Sequence, residues 1–362
     1  MLAIQDTTVV KSEGGGGLYL HPTIALDAED GAILGLVEAM FLKRTGGRRG
    51  ERRAKPWREK ESRRWIEGAR AAAKVCAAAR SLTIVADRES DIYAAFALRP
   101  AEAHLIVRAA QDRSLEDDGR LFERLDALNE AGRARLELPA KPGRRPRQAT
   151  LAVRFLKAVL ARPKNRADAD LQGTIEVHVV DLREIDPPPG ESLHWRLLCT
   201  HPVADLKQAL AVADLYRRRW AIEQLFRTLK TKGFDVEALR VEDERARENL
   251  LTATLVAAVA VQQLVHARDG APGGRLRPVL DAFEAQDIPL LEAYCKTLEG
   301  RTERQKNPHP KGSLAYASWV CARLGGWTGY YGKPGPVVML LGLTKFQNGK
   351  HALQALAQFN DV

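Results

Sequence analysis

Cysteine is scarce. Cys76, Cys199, Cys295 and Cys321 are scattered through 362 residues, and no two share C-x-x-C spacing. That argues against a disulfide framework and against a zinc site, and leaves each cysteine as a small buried hydrophobe. No apolar run long enough to span a bilayer and no signal peptide is found, so a cytoplasmic protein with no membrane partner is expected. There is no internal repeat, which sets aside solenoids and propellers. Hydrophobic residues make up 45% and charged residues 28%, a globular balance rather than a disordered one. The length exceeds one compact core and predicts two or three lobes.

Negative charge is also short, most of all in one place. The chain carries a net charge of +10, the sign that suits a polyanionic partner. Between Lys43 and Arg64 stand eleven basic residues, opposed only by Glu51, Glu59 and Glu61. A solvated loop would read the same way. The density of charge, with Trp57 and Trp65 close by, points to a DNA-facing segment.

Along the chain, L-A-I-Q-D at 2–6, 18–26, 33–41, L-T-I-V-A-D at 82–87 and H-L-I-V-R at 104–108 have the composition of strands, and Gly14–Gly17 that of a turn. Helices are predicted at about 60–79 and 90–98. Three antiparallel strands, a helix, then strand, helix and strand is the order of an α/β ribonuclease-H-like core. From 112 to 200, alternating stretches at 133–138, 149–155, 174–181 and 194–200 predict a β-rich insertion. A long helix follows from 203 to about 232, then helices near 245–268, 275–300 and 313–325. A Gly/Pro-rich tail at 325–336 precedes a short final helix near 350. The segments expected are 1–111 and 201–266 for the core, 112–200 for the insertion and 267–362 for a C-terminal helical region.

Two acids close strands: Asp6 and Asp87. At the ends of neighbouring strands of one sheet they can address one point, where oxygen ligands suit magnesium or manganese. A turn residue at Asp6 and a helix N-cap at Asp87 explain the same letters. The long helix carries more information. At 100° per residue, Tyr216, Arg219, Glu223, Arg227 and Lys230 fall within an arc of roughly 80°, with Trp220 about 20° beyond it. Ion pairs on a solvated face account for the charges. They do not account for a phenol and an indole beside them, which suit phosphate binding and base stacking.

The spacing Tyr216-x2-Arg219-x3-Glu223-x6-Lys230 resembles the Y-R-E-K signature of DDE-type, hairpin-forming, cut-and-paste insertion-sequence transposases of bacteria. Q-D-T-T at 5–8, D-R-E-S-D-I-Y at 87–93 and W-R-L-L-C-T at 195–200 match in order. K-E-S-R-R-W at 60–65 and A-R-L-G-G-W-T-G-Y at 322–330 are also similar. The resemblance covers essentially the whole chain. It implies that Asp6, Asp87 and Glu223 form the catalytic, metal-binding triad for two Mg2+ or Mn2+ ions. It implies phosphate contacts for Tyr216, Arg219 and Lys230 beside a flipped base, stacking of that base on Trp195, and further DNA contacts at Trp220, Arg227 and Arg113. It further implies strand cleavage, hairpin formation and strand transfer at transposon ends, with a homodimer in the DNA complex and C-terminal helices that mediate dimerisation.

Members of that group carry an N-terminal helical domain before the first Asp. Only five residues precede Asp6 here, so a truncated product with weakened end recognition is expected. Two other functions fit the same residues. One is a nuclease of the same fold that cuts without joining. The other is a non-catalytic remnant that binds DNA or inhibits a full-length partner by dimerisation.

Overall fold

A computed structural model describes residues 1–11, 17–43, 55–138, 145–164, 169–190, 192–271 and 274–360. Arg44, Arg48, Arg49, Arg52 and Arg53 of the basic segment, and most of the Gly14–Gly17 turn, lie outside the described residues. The chain divides into two compact units. The first comprises Met1–Thr7, Tyr19–Thr23 and Val37–Trp220; the second comprises Thr8–Leu18, Ile24–Leu36 and Ala221–Val362.

The strands are β1 (Leu2–Gln5), β2 (Thr8–Val10), β3 (Leu18–Leu26), β4 (Ile33–Leu42), β5 (Leu82–Ala86), β6 (Ala103–Arg108), β7 (Gly132–Leu138), β8 (Arg147–Ala161), β9 (Thr174–Glu184) and β10 (His194–Cys199). The helices are α1 (Arg63–Val75), α2 (Tyr93–Ala97), α3 (Leu121–Asp126), α4 (Leu206–Arg217), α5 (Trp220–Lys230), α6 (Glu244–Ala267), α7 (Ile288–Leu298), α8 (Leu314–Leu324) and α9 (Pro336–Asn360). The protein is a mixed α/β fold with one large mixed sheet.

The sheet order is β2-β3-β1-β5-β6-β10-β9-β8-β7, with β4 also paired to β3. β5 lies parallel to both β1 and β6, with Gln5 opposite Ala86 and Ala86 opposite Val107. All residues of β1 and β5 are buried, as apolar parallel strands covered on both faces must be. β10 pairs antiparallel to β6, and β9, β8 and β7 continue antiparallel outward. Four strands, β7 to β10, lie in the stretch of the expected insertion and continue the same sheet. β7 alternates between half-buried and exposed residues, the pattern of an edge with one solvated face. α1 buries Trp65, Ile66, Ala69, Ala72 and Ala73, one stripe at helical spacing. It ends at Val75, short of the expected 79.

The long helix expected from 203 to 232 is broken. α4 ends at Arg217 and α5 begins at Trp220. Between them the Arg218 and Arg219 N–H groups donate to the Leu215 and Tyr216 carbonyls at 3.2 and 3.0 Å. These are i→i−3 bonds, which tighten the turn and shift the phase of the helix. A single wheel through Tyr216 and Lys230 therefore does not describe the chain.

The second unit is built on helices. Val261, Leu264, Leu291, Trp319, Val320, Cys321, Met339 and Phe346 share its core. Trp319 is 4% exposed and belongs to that core. The final helix is not short: α9 has 25 residues and runs through Gly342 and Gly349. A Cβ at Gly342 would lie 1.7 Å from the Cys321 carbonyl oxygen, so glycine there lets α8 and α9 touch backbone to backbone. The expected 275–300 helix is reduced to α7, preceded by short 3-10 turns. Contrary to the sequence expectation, one helix among the described residues, α6, has the length and composition to cross a membrane. More than half of its apolar stretch is buried within the protein. All four cysteines are buried and free.

Candidate active site

The site in the first unit starts from strand register. Gln5 and Ala86 are partners in adjacent parallel strands, so the next residues, Asp6 and Asp87, leave the same end of β1 and β5 side by side. The carboxyl ends of parallel strands are where open α/β sheets place ligands. Both aspartates are half-buried. Each gives one oxygen to the backbone: Asp6 Oδ1 accepts from Thr7 N–H and Asp87 Oδ1 from Glu89 N–H, both at 2.8 Å. Asp87 thus caps a 3-10 turn, Arg88–Ser90. The cap role is real at Asp87, and the two backbone bonds orient both carboxylates without excluding a metal role.

Arg219 enters this site. Its Nη1 donates to Asp6 Oδ2 at 2.8 Å, with both side chains less than one-fifth exposed. The guanidinium also lies over the Tyr216 ring, 6.0 Å from its centroid. Tyr216 is buried and stands edge-on to Trp195, with ring centroids 5.6 Å apart. Burial raises the Tyr216 pKa, opposed by Arg219 and Arg108, while the charge of Asp87 pushes the same way as burial. The first unit therefore gathers Asp6, Asp87, Trp195, Tyr216 and Arg219 around one end of the sheet. Trp220 is 40% exposed at the start of α5.

Glu223, Arg227 and Lys230 lie on α5 at i, i+4 and i+7, one face of that helix. The opposite side buries Ile222, Leu225, Thr228 and Leu229. Within the second unit Lys230 donates to the Val9 carbonyl and pairs with Glu237 at 3.4 Å. Arg227 is exposed.

Arg113, expected to touch DNA, is spent inside the fold. It is 8% exposed, and its Nε and Nη2 hold the Asp91 carboxylate and carbonyl at 2.8 and 2.6 Å. A buried guanidinium needs such a partner. Asp91 in turn accepts from the Ala110 and Gln111 N–H groups.

A network absent from the sequence expectations lies behind Asp6. Thr7 Oγ1 meets His21 Nδ1 at 2.8 Å and accepts from Arg64 Nε at 3.1 Å. Arg64 also reaches Glu89 at 2.9 Å. His21 packs edge-on to Trp65 at 4.5 Å. Burial, reinforced by Arg64, lowers its pKa to about 3, so the ring is neutral at physiological pH. The signal available in the sequence was that Thr7, Arg64 and Glu89 lie in three separate motif segments.

The donor chemistry suits hard divalent cations, because Asp6 and Asp87 present carboxylate oxygens. Among the described residues no group of three or more His, Cys, Asp or Glu side chains is assembled as a metal cluster. Asp6 carries the Arg219 cation on its second oxygen. A profile of the transposase DDE domain matches residues 20–260, a span that includes Asp87 and Glu223 and begins after Asp6. The chain belongs to the transposase DDE-domain family.

Proposed function

We propose that this chain is a transposase that cleaves and joins DNA, with Asp6, Asp87 and Glu223 as its metal-binding carboxylates. The observation that carries this is the side-by-side exit of Asp6 and Asp87 from parallel β1 and β5. The strand order β3-β1-β5-β6, with β4 paired to β3, supports a ribonuclease-H-like core, and β10 to β7 support a β insertion grown onto it. Glu223 is assigned as the third carboxylate from its place on the face of α5 and from the family signature.

Two Mg2+ or Mn2+ ions held there would supply activation of water and of a DNA 3′-hydroxyl, and stabilisation of the leaving oxygen. The chain's own residues do the rest. Arg219 and Tyr216 offer donors beside the aspartates for backbone phosphates, and Arg227 and Lys230 extend the cationic face of α5. Trp195 offers an indole on which a flipped base at a hairpin end can stack, offsetting lost base stacking. Arg113 is left out of the DNA contacts, since Asp91 occupies it. The second unit is proposed to serve self-association in the DNA complex, where Leu353 and Leu356 of α9 are more than half exposed.

The test is reaction of an intact transposon-end duplex with Mg2+, scored for nicked, hairpin and joined products. Hairpin and joined products that vanish in Glu223→Gln are expected. Nicked product alone would instead favour the cutting-only nuclease, and no product with retained DNA binding would favour the non-catalytic remnant.

A further inference from the structure

Arg64 stands on α1, outside both aspartate loops, with 11% of its side chain exposed. Its three nitrogens are used on three segments. Nε donates to Thr7 Oγ1 at 3.1 Å, Nη2 to Glu89 Oε2 at 2.9 Å and Nη1 to the Glu61 carbonyl at 3.0 Å. Thr7 and Glu89 are the same two residues whose backbone N–H groups hold Asp6 Oδ1 and Asp87 Oδ1. One planar guanidinium therefore spans the residue that orients the first aspartate and the residue that orients the second. The planar fork fixes the separation of its acceptors, which a single ammonium cannot do. His21 grips the same Thr7 hydroxyl from β3, so the Thr7 side chain is fixed from two sides.

We infer that Arg64 is a positioning residue that sets the spacing and orientation of Asp6 and Asp87 by tying Thr7 to Glu89. This rests on the reading of Asp6 and Asp87 as metal ligands. Stability alone explains the contacts poorly. Glu89 is 58% exposed, and ion pairs with so exposed a partner contribute little to folding. Groups that orient metal ligands, by contrast, commonly change metal affinity by about 10–100-fold.

The experiment is a Mn2+ titration of the full chain without DNA, following free Mn2+ by electron paramagnetic resonance, alongside thermal unfolding. The variants are Arg64→Ala, Arg64→Lys and Glu89→Gln, with Asp87→Asn as the control for the metal reading. Arg64→Ala is expected to weaken Mn2+ binding about 10-fold or more with an unfolding temperature near that of the parent. Arg64→Lys should fail to restore it, because a point donor cannot span both acceptors. Wild-type affinity in Arg64→Ala, with affinity lost in Asp87→Asn, would overturn the role of Arg64 and leave the metal site standing. Wild-type affinity in both would overturn the metal reading and the positioning role together. If Arg64→Ala does not fold, Glu89→Gln decides alone: a several-fold loss supports the role and no change overturns it.

Discussion

The two units solve the same problem, fixing a chain in one arrangement, by different means. The first relies on strand register and on polar ties across it. Asp181, 1% exposed, is held by His194 at 2.7 Å and Arg196 at 3.0 Å. Burial pushes the Asp181 carboxyl up, and those two partners more than offset it, so its pKa falls. Asp91 and Arg113 form a second such pair. The second unit relies on close apolar contact, with helices brought together over Gly342 and around Phe346. Among its polar ties is Arg277, bound by Asp27 and Asp281. The first unit should therefore be sensitive to charge and proton concentration, and the second to volume. The two proposed aspartate ligands sit where register and hydrogen bonds set position, while the proposed glutamate, Glu223, stands on a helix of the second unit.

The largest contrast comes from removing a charge without changing shape. Asp87→Asn should cut strand cleavage by about 10³-fold or more, the scale of losing a whole catalytic element, while circular dichroism stays unchanged. Near-normal cleavage would end the comparison in its present form. Acid should come next. Burial first, then Arg64, lowers His21 to about 3, and burial first, then His104, lowers His201 to about 4. Between those values and the ordinary histidine range near 6.5, the unfolded chain binds more protons than the folded one. Stability contributed by the neutral rings is thus complete above pH 6.5 and is lost progressively as pH falls towards about 3. Hydrogen exchange across pH 7 to 4 should show β3 and β5 losing protection before α8. His309 of the second unit shifts in the same direction through burial, so equal loss in both units would blunt the distinction.

Volume should tell the opposite story. Gly342→Ala places a methyl against the Cys321 carbonyl, and overpacking of that kind should cost about 3 kcal/mol. The loss should appear in the protection of α8 and α9, with Mn2+ binding retained. The smallest effect concerns Arg219. Arg219→Ala should weaken binding of a cleaved end and make its salt dependence shallower by about one unit of slope. An unchanged slope would return Arg219 to a purely intramolecular role on Asp6.

Much of the first unit was legible because strands declare themselves by period and by what ends them. L-A-I-Q and L-T-I-V-A are apolar runs closed by Asp, and they fold as the parallel pair β1 and β5. What the letters hid was long-range. The family resemblance gave Arg113 to DNA, and only the fold brings Asp91 to it. The break at Arg218 has no Pro or Gly to mark it; it is made by i→i−3 bonds between ordinary helix formers. In the second unit glycine misled. The run at 325–336 was rightly read as irregular up to the start of α9, but Gly342 and Gly349 lie inside a long helix, because the close approach of α8 outweighs glycine's weak helix propensity. The motif segments around Thr7, Arg64 and Glu89 were visible separately; their joining by one guanidinium was not.

The most direct measurement compares Mn2+ binding by the parent chain with Asp6→Asn, Asp87→Asn, Glu223→Gln and the Asp87→Asn, Glu223→Gln double variant, in the presence of a cleaved transposon-end duplex. If the three carboxylates form one site, each single variant loses high-affinity binding and the double variant is little worse than either single. If Glu223→Gln binds Mn2+ as the parent does while the aspartate variants do not, Glu223 is no part of the site, and the assignment of this chain's catalytic triad is wrong.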